Sequence, residues 1–218
     1  MGRAALDAIR REELVAAAVE TVGREGHEAA TVARIARAAD MSPGLVHHYF
    51  ADKADLLAAA YRATRKPVAA AYRRALATGP NAGGRGTAVP PGLRLMAAVE
   101  AHLVPAVLTP VRAAAWCGFT ALIPYRPAYA RIRAAQRCRQ AANLRAALVH
   151  LAPSREEAAD LAEAAAVALD GLWLEAATRE GGLFPGEGEM MLESVLAPYY
   201  SSTDPLASDP LASARDAP

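Results

Sequence analysis

Residues 31–53 constrain the fold of this chain more than any other stretch, because they carry three helix starts and a turn at close spacing. Thr31 can cap one short helix, and Ser42 followed by Pro43 can cap and begin a second. Asp52 can cap a longer helix that starts at Lys53. Two short helices joined by a tight turn predict a helix-turn-helix, whose second helix can lie in the major groove of DNA.

The rest of the sequence predicts helices and no strands. Hydrophobic residues make up 53% of the chain, and alanine, a strong helix former, supplies much of that share. Helical spacing and caps predict helices at about residues 7–24, 53–77, 93–104, 111–123, 128–151, 154–180 and 187–196, and Pro67 should kink or split the second of them. With the two short helices, this gives an all-α protein of about nine helices.

Composition divides the chain into three parts. The helix-turn-helix domain, with the start of the fourth helix, is predicted at residues 1–66, and a larger helical domain at residues 67–200. Residues 78–92 are rich in glycine and proline, which predicts a flexible connection. The tail, residues 201–218, repeats Asp-Pro-Leu-Ala-Ser and predicts disorder.

Charge and motif content exclude several classes of function. The net charge is +1, with a mild excess of cations in residues 1–74 and six arginines without an acid in residues 126–145. Only the first of these stretches is near the suspected DNA surface. Cys117 and Cys138 fit neither a metal-ligand spacing nor a disulfide framework, so we expect a reduced, cytoplasmic protein with no metal and no cofactor. The glycine-rich residues 83–86 lack the preceding strand of a nucleotide-binding loop, and we expect no enzyme. No apolar run is long enough to cross a membrane.

Residues 9–57 resemble the N-terminal domain of the tetracycline repressor (TetR) family. The resemblance rests on polar groups, turn residues and apolar anchors at the family's spacings, namely Thr31-Val32 with Ile35-Ala36, Ser42-x-Gly44, and Tyr49-Phe50-x-x-Lys53-x-x-Leu56. It implies contacts to phosphates, which set the register on DNA, and to bases, which set the sequence preference. The implied DNA-binding residues are Thr31, Arg34, Ser42, Gly44, Leu45, His47, His48, Tyr49 and Lys53. The alternative is that Thr31 and Ser42 are helix caps only.

The body is similar to a narrower group, the BetI-type repressors, which respond to choline in glycine-betaine synthesis. The similarity rests on residues 44–53, on Ala115-Trp116 followed by Tyr129-x-x-Ile132, and on residues 169–174. Aromatic faces and a nearby carboxylate hold a quaternary ammonium, which cannot donate a hydrogen bond. The predicted ligand-binding residues are Trp116, Phe119, Tyr125, Tyr129, Asp170 and Trp173. The alternative is that both tryptophans are core residues and Asp170 is a satisfied polar group.

The expected partners are a double-stranded DNA operator, a second copy of the chain, and a small-molecule effector for which a quaternary amine is one candidate. The C-terminal helical domain would bind the ligand and dimerise through the last two helices, which offer many alanines together with Met190, Met191, Val195 and Leu196. We therefore expect a ligand-responsive repressor that controls choline, betaine or related metabolism. The alternatives are a broad drug- or lipid-sensing regulator of an efflux system and an interaction protein that has lost DNA binding.

Overall fold

The computed structural model describes residues 2–78, 89–184, 186–188 and 190–192. Within these ranges the chain has no strand, which confirms the all-α prediction. Residues 79–88 of the connection predicted at 78–92, and the predicted tail at 201–218, lie outside the described residues. The ends of that predicted connection are helical, because Thr78 ends one helix and Pro91 begins the next. The helices are α1 (Arg3–Glu25), α2 (Val32–Ala38), α3 (Pro43–Tyr49), α4 (Lys53–Thr64), α5 (Lys66–Thr78), α6 (Pro91–Leu103), α7 (Pro110–Ala121), a short 3-10 helix (Ile123–Tyr125), α8 (Pro127–Leu148) and α9 (Arg155–Thr178).

The N-terminal part of the chain, α1 to α4, is called the head, and side-chain caps begin three of its helices, α2, α3 and α4. The hydroxyl of Thr31 accepts a hydrogen bond from the backbone N–H of Arg34 at 3.2 Å, and that of Ser42 accepts one from Leu45 at 3.3 Å. The carboxylate of Asp52 accepts one from the third backbone N–H of α4 at 2.8 Å. Each bond satisfies an N–H that the helix leaves unpaired, and the three predicted caps are confirmed.

The turn between α2 and α3 depends on an aspartate in a left-handed conformation. Asp40 has a φ of 53°, and aspartate tolerates this region better than most residues. Val46 and Phe50, one helical turn apart, are both buried in the same core as Leu14 and Ile35. The predicted attachment of α3 to the first two helices is therefore confirmed, and the opposite face of α3 is left outside.

A positively charged side chain is buried at the break between α4 and α5. The predicted long helix ends at Thr64 and a new helix begins at Lys66, so the split expected near Pro67 is confirmed. Arg65 lies in the break and is only 8% exposed. A buried guanidinium needs a counter-charge and hydrogen-bond acceptors, and the body supplies them.

The head packs directly on the body, mainly through α1 against α7. Gly23 permits this approach, because a Cβ atom there would lie 2.1 Å from the carbonyl oxygen of Val111. Close by, His27 hydrogen-bonds the Tyr129 hydroxyl at 2.9 Å, and Tyr61 stacks on Phe119 with ring centroids 5.2 Å apart. Head and body therefore share one hydrophobic core.

A second core joins α6, α8 and α9 in the body. Of the alanines predicted to line a dimer seam, Ala158, Ala162, Ala165 and Ala166 are buried in this core of their own chain. They face inward because α9 packs against both α7 and α8. In the predicted helix at 187–196, residues 187, 188 and 190–192 are helical, and the others, including Val195 and Leu196, lie outside the described residues.

Candidate functional site

Most of the predicted DNA contacts are exposed to solvent, and Gly44, His47 and His48 are exposed on the outer face of α3. A Cβ atom at Gly44 would meet nothing within 4 Å, so this part of the helix is open. Leu45 and Tyr49 on α3 and Lys53 at the start of α4 are half-buried. The exposed members of the predicted set are Thr31, Arg34, Ser42, Gly44, His47 and His48.

Two of the predicted DNA-binding side chains, those of Tyr49 and Arg34, already have acidic partners within the head. The Tyr49 hydroxyl donates to the carboxylate of Asp7 at 3.2 Å, and desolvation together with this bond raises the pKa of Tyr49. The Arg34 guanidinium forms an ion pair with Glu25. Any phosphate that these groups bind must replace an intramolecular partner.

A buried charge network lies where α4, α6, α8 and α9 meet, and Arg65 is its centre. Its Nη2 donates to Oδ1 of Asp170 at 2.8 Å, and its Nη1 lies 2.9 Å from Nδ1 of His102. Since a guanidinium can only donate, Nδ1 of His102 accepts. The other carboxylate oxygen of Asp170 accepts from Arg133. One carboxylate therefore serves two guanidiniums.

Both tryptophans of the body contact the Arg65 guanidinium. The guanidinium carbon lies 3.9 Å from the ring centroid of Trp173 and 4.5 Å from that of Trp116. Arg133 approaches Trp116 from 5.2 Å. Desolvated cation–π contacts of this kind stabilise a buried cation.

Burial sets the protonation states of the network. It lowers the pKa of Arg65 to about 10, although Asp170 opposes the shift, so Arg65 stays charged at neutral pH. Burial and the adjacent Arg65 lower the pKa of His102 well below its ordinary value, so His102 is neutral. Several buried polar atoms of the network have no hydrogen-bond partner: Nε of Arg65, Nη1 of Arg133, Oε1 of Gln136, and Nε1 of Trp116 and Trp173.

The six predicted ligand-binding residues fall into three places. Trp116, Asp170 and Trp173 come together, but around Arg65. Phe119 and Tyr129 form a ring cluster with His27 and Tyr61 at the head–body contact. Tyr125 is 77% exposed in the 3-10 helix, so its ring is not part of a buried cage.

Sequence reasoning missed Arg65, the cation inside the predicted cage. The only signal was its position two residues before Pro67, at a helix break, and a break does not indicate in which direction the side chain points. Arg133 and His102 were missed for the same reason, because their helix positions carry no motif. The positions of Trp116, Asp170 and Trp173 did indicate a site for a cation, because these residues lie on the facing helices α7 and α9.

A large groove opens beside this network, between α1, the α4–α5 break and α8. It has a volume of about 810 Å³, and Arg65, His102 and Gln140 form its buried part. No group of three potential metal-ligating side chains occurs in the described ranges. The helices described are all too short or too polar to cross a membrane.

The second helix of the capped helix-turn-helix is exposed, as in DNA-binding proteins that place this helix in the major groove. A larger helical body is attached to it, which is the arrangement expected of a DNA-binding protein with a second domain. Comparison with known families agrees with this class. The family model described as "Bacterial regulatory proteins, tetR family" matches residues 14–60. The model described as "BetI-type transcriptional repressor, C-terminal" matches residues 91–198.

Similar proteins extend the match over most of the chain. The HTH-type transcriptional regulator BetI of Escherichia coli O45:K1 (strain S88 / ExPEC) is 32% identical over 177 residues, which are 81% of this chain and 87% of that protein. BetI of Escherichia coli strain K12 matches with the same identity and coverage. The chain therefore belongs to the TetR family of transcriptional regulators, with a C-terminal domain of the BetI type, and the expectation that it is not an enzyme is confirmed.

Solved structures share the fold. A transcriptional regulator from Rhodococcus sp. Rha1 superposes with a TM-score of 0.71 at 25% identity, covering 88% of this chain and 96% of that chain. One from Pseudomonas aeruginosa PAO1 gives 0.67 at 26% identity, with 89% and 91% covered. A regulator from Saccharomonospora viridis, solved in complex with choline, gives 0.68 at 19% identity, with 87% and 96% covered.

Proposed function

We propose that this chain is a homodimeric repressor that binds a palindromic operator through α3 and changes its DNA affinity when an effector binds the body. The exposed face of α3 carries the proposal. Gly44, His47 and His48 are open to solvent while Val46, on the opposite face, is buried. A repressor of this kind acts in the cytoplasm, where its operator lies.

The proposed roles follow the position of each side chain on the head. Thr31, Tyr49 and Lys53 bind phosphates, with Arg34 as a further contact, because they flank the exposed face of α3. Ser42, Gly44 and Leu45 approach bases from the start of α3, while His47 and His48 bind bases or backbone further along it. The histidines can donate to base edges or phosphates from their exposed rings.

An uncovered apolar stripe on α9 favours a dimer. Ala164, Val167, Gly171 and Leu174 are exposed and recur every three or four residues, so they share one face of the helix. Val167 is 54% exposed and Leu174 is 51% exposed, and Met190 is also exposed. Covering such a face removes apolar area from water, and two copies of this stripe can cover each other about a twofold axis.

Replacing a stripe residue by an acid tests this dimer. We expect Leu174→Glu to sediment as a monomer at micromolar concentration and to bind the operator far more weakly, because avidity between two heads is lost. Met96→Glu is the matched control, since Met96 is 36% exposed on α6, in the body and outside the stripe. A dimeric Leu174→Glu protein would contradict the proposed interface.

Helix α4 connects the operator to the regulatory network. It begins at the proposed phosphate contact Lys53 and ends beside Arg65, whose ion pair with Asp170 reaches the proposed dimer helix α9. A ligand that changes the position of Arg65 would therefore tilt α4 and misalign one head relative to the other. A coupling of about 1–3 kcal/mol changes DNA affinity roughly 5- to 150-fold.

A quaternary amine is the proposed effector class, with control of choline or betaine metabolism as the physiological role. The BetI-type C-terminal match and the choline complex of the Saccharomonospora viridis regulator support it. In this chain the amine must displace the Arg65 guanidinium from Trp116 and Trp173. Arg65→Gln should therefore bind choline at least about tenfold more tightly than the unaltered protein, because no internal cation has to leave.

Calorimetry with choline and betaine aldehyde tests this effector. Trp173→Ala should abolish binding, and Arg131→Gln, an exposed change on α8, should leave it unaltered. Failure of both the unaltered protein and Arg65→Gln to bind either amine would exclude this effector class. Operator binding would be unaffected by that result, so the repressor assignment is tested separately.

The groove favours a second candidate, a regulator of an efflux system that responds to larger drugs or lipids. Its volume of about 810 Å³ lies toward the upper end of the ~300–1,000 Å³ typical of ligand pockets. Choline would leave most of this space unfilled. The charge of the groove limits which of these larger ligands it can bind.

A further inference from the structure

The groove beside Arg65 is strongly basic. It is lined by seven cationic side chains, Arg11, Arg62, Arg65, Lys66, Arg73, Arg112 and Arg139, but by only two acids, Glu12 and Glu20. Both acids already have cationic partners. Lys66 pairs with Glu12 at 2.7 Å and Arg24 pairs with Glu20 at 2.6 Å. The acids therefore do not compensate the arginines of the groove.

Of the six arginines that line the groove, only Arg65 has an ion pair in the described ranges. Arg11 lies over the Phe50 ring and Arg112 donates to backbone carbonyls. Arg62, Arg73 and Arg139 form no ion pair, hydrogen bond or ring contact with any residue in the described ranges. Arg62 approaches the groove from α4 and Arg139 from α8, so they belong to opposite walls. Like charges that share a cleft repel each other and attract an anion.

Buried atoms of the groove also lack partners. Arg65 is 8% exposed and its Nε, a donor, has no acceptor, while Oε1 of the half-buried Gln136 has no donor. Both residues line the groove. A buried polar atom without a partner is unfavourable, and a ligand oxygen beside Nε of Arg65 would relieve it.

The wall formed by α1, α4 and α5 carries apolar side chains among its charged ones. Its small and branched side chains are Val15, Ala16, Val19, Ala59, Ala63, Val68 and Ala69. A ligand that matches the whole groove has an apolar part to cover these side chains and an anionic head for the arginines. A quaternary amine matches the apolar wall but not the charge.

We propose that this groove binds an organic anion with an apolar chain or ring, held at its carboxylate or phosphate group by Arg62 and Arg139 beside Arg65. The proposal rests on the second candidate function, a repressor that responds to ligands larger than choline, and specifies the charge of those ligands. The groove is bounded by α1 of the head and by α8 of the body. The anion therefore bridges the two and fixes the angle of the head.

Calorimetry with three ligands that share a decyl chain separates charge from hydrophobicity. The full-length protein is titrated at low ionic strength with decanoate, decyl phosphate and decyltrimethylammonium, each below its micelle concentration. Both anions bind at least about tenfold more tightly than the cation, because the arginines attract the first two and repel the third. The tighter of the two anions identifies the preferred head group.

A charge-matched pair of variants locates the site. Arg62→Gln/Arg139→Gln removes two exposed arginines of the groove and lowers the affinity for the anions about tenfold. Arg131→Gln/Arg155→Gln removes two exposed arginines outside the groove and changes it less than about twofold. Circular dichroism verifies that both proteins are folded.

Three results overturn this inference: no binding of either anion, equal or tighter binding of the cation, or an equal loss of anion affinity in the two double variants. Operator binding is measured on the same preparations without ligand. A protein that binds its operator but fails the anion test refutes the groove proposal alone. A protein that binds no operator refutes the repressor assignment, whatever the anions do.

Discussion

Replacing Asp170 by asparagine should destabilise the protein more than any exposed substitution, because one carboxylate balances two buried cations. The side chains of Asp170 and Arg133 are 13% exposed and that of Arg65 is 7% exposed, so water cannot replace the lost charge. Breaking a buried ion pair from one side costs about 3–5 kcal/mol. Domains have a free energy of unfolding of only about 5–15 kcal/mol, so the loss is a large fraction of the total.

The assays are urea unfolding and thermal unfolding, both followed by circular dichroism at a fixed protein concentration because a dimer's stability depends on it. For a chain of this length each kcal/mol lowers Tm by about 2–4 °C, so Asp170→Asn should lower it by roughly 6–20 °C. Asp160→Asn, an exposed change on the same helix, is the control and should change stability by less than about 0.5 kcal/mol.

A companion variant separates the charge from the side-chain packing. Arg65→Met leaves Asp170 with one cation, Arg133, instead of two. The combination Arg65→Met/Asp170→Asn should be destabilised by clearly less than the sum of the two single variants, because the second change removes a partner that is already gone. If Asp170→Asn lost less than about 1 kcal/mol, or if the two losses simply added, the reasoning about this network would be refuted.

Three further predictions concern the head–body contact, pH and DNA binding. Gly23→Ala should destabilise the protein by about 2 kcal/mol or more in urea unfolding, because the added Cβ would lie 2.1 Å from a backbone oxygen. Gly118→Ala is the control and should be neutral or stabilising, because the nearest contact of its Cβ would be at 3.7 Å. Equal effects of the two substitutions would contradict the close approach of α1 and α7. Because folding lowers the pKa of His102, the unfolded chain binds a proton at this residue that the folded chain does not. The free energy of unfolding should therefore be highest above about pH 6.5 and should fall below that pH by up to about 1.4 kcal/mol per pH unit. His102→Asn should reduce this slope. Lys53→Ala should weaken operator binding about 5- to 10-fold in fluorescence anisotropy. It should also reduce the slope of the logarithm of the binding constant against the logarithm of the salt concentration by about one. Lys66→Ala, the matched lysine outside the head, should change neither quantity.

The head could be predicted from sequence because its signals are local. The caps at Thr31 and Ser42 act within one turn of their own helices, and Val46 lies four residues before Phe50, the residue that ends α3. Short-range rules therefore determine where these helices begin and which face is buried. The left-handed turn at Asp40 is equally local.

The buried network could be predicted only in part. The contact between Trp116 and Trp173 follows from facing positions on two helices, and their ring centroids lie 5.9 Å apart. The Arg65 guanidinium lies against both rings. Its position depends on how α4 ends and on how α4 packs against the body, and no local sequence pattern encodes either. An aromatic and acidic set that suits a cation in a ligand also suits a cation of the chain itself.

Helix α9 illustrates a second limit of sequence reasoning. Its alanines occur on all faces, so composition alone cannot tell the core side from the side available to a partner. The structure separates them, with Ala162 and Ala166 inside and Val167 and Leu174 outside. The larger exposed side chains, rather than the alanines, therefore indicate the proposed dimer surface.

Selection of random-sequence duplexes followed by fluorescence anisotropy tests the central claim most directly. The purified chain should enrich a site with twofold symmetry, bind it as two chains per site, and prefer it over a shuffled duplex by about 10³-fold or more at moderate salt. His47→Ala and His48→Ala should weaken this preference while leaving binding to shuffled duplex nearly unchanged. Equal affinity for selected and shuffled duplexes would contradict the assignment of α3 as a recognition helix.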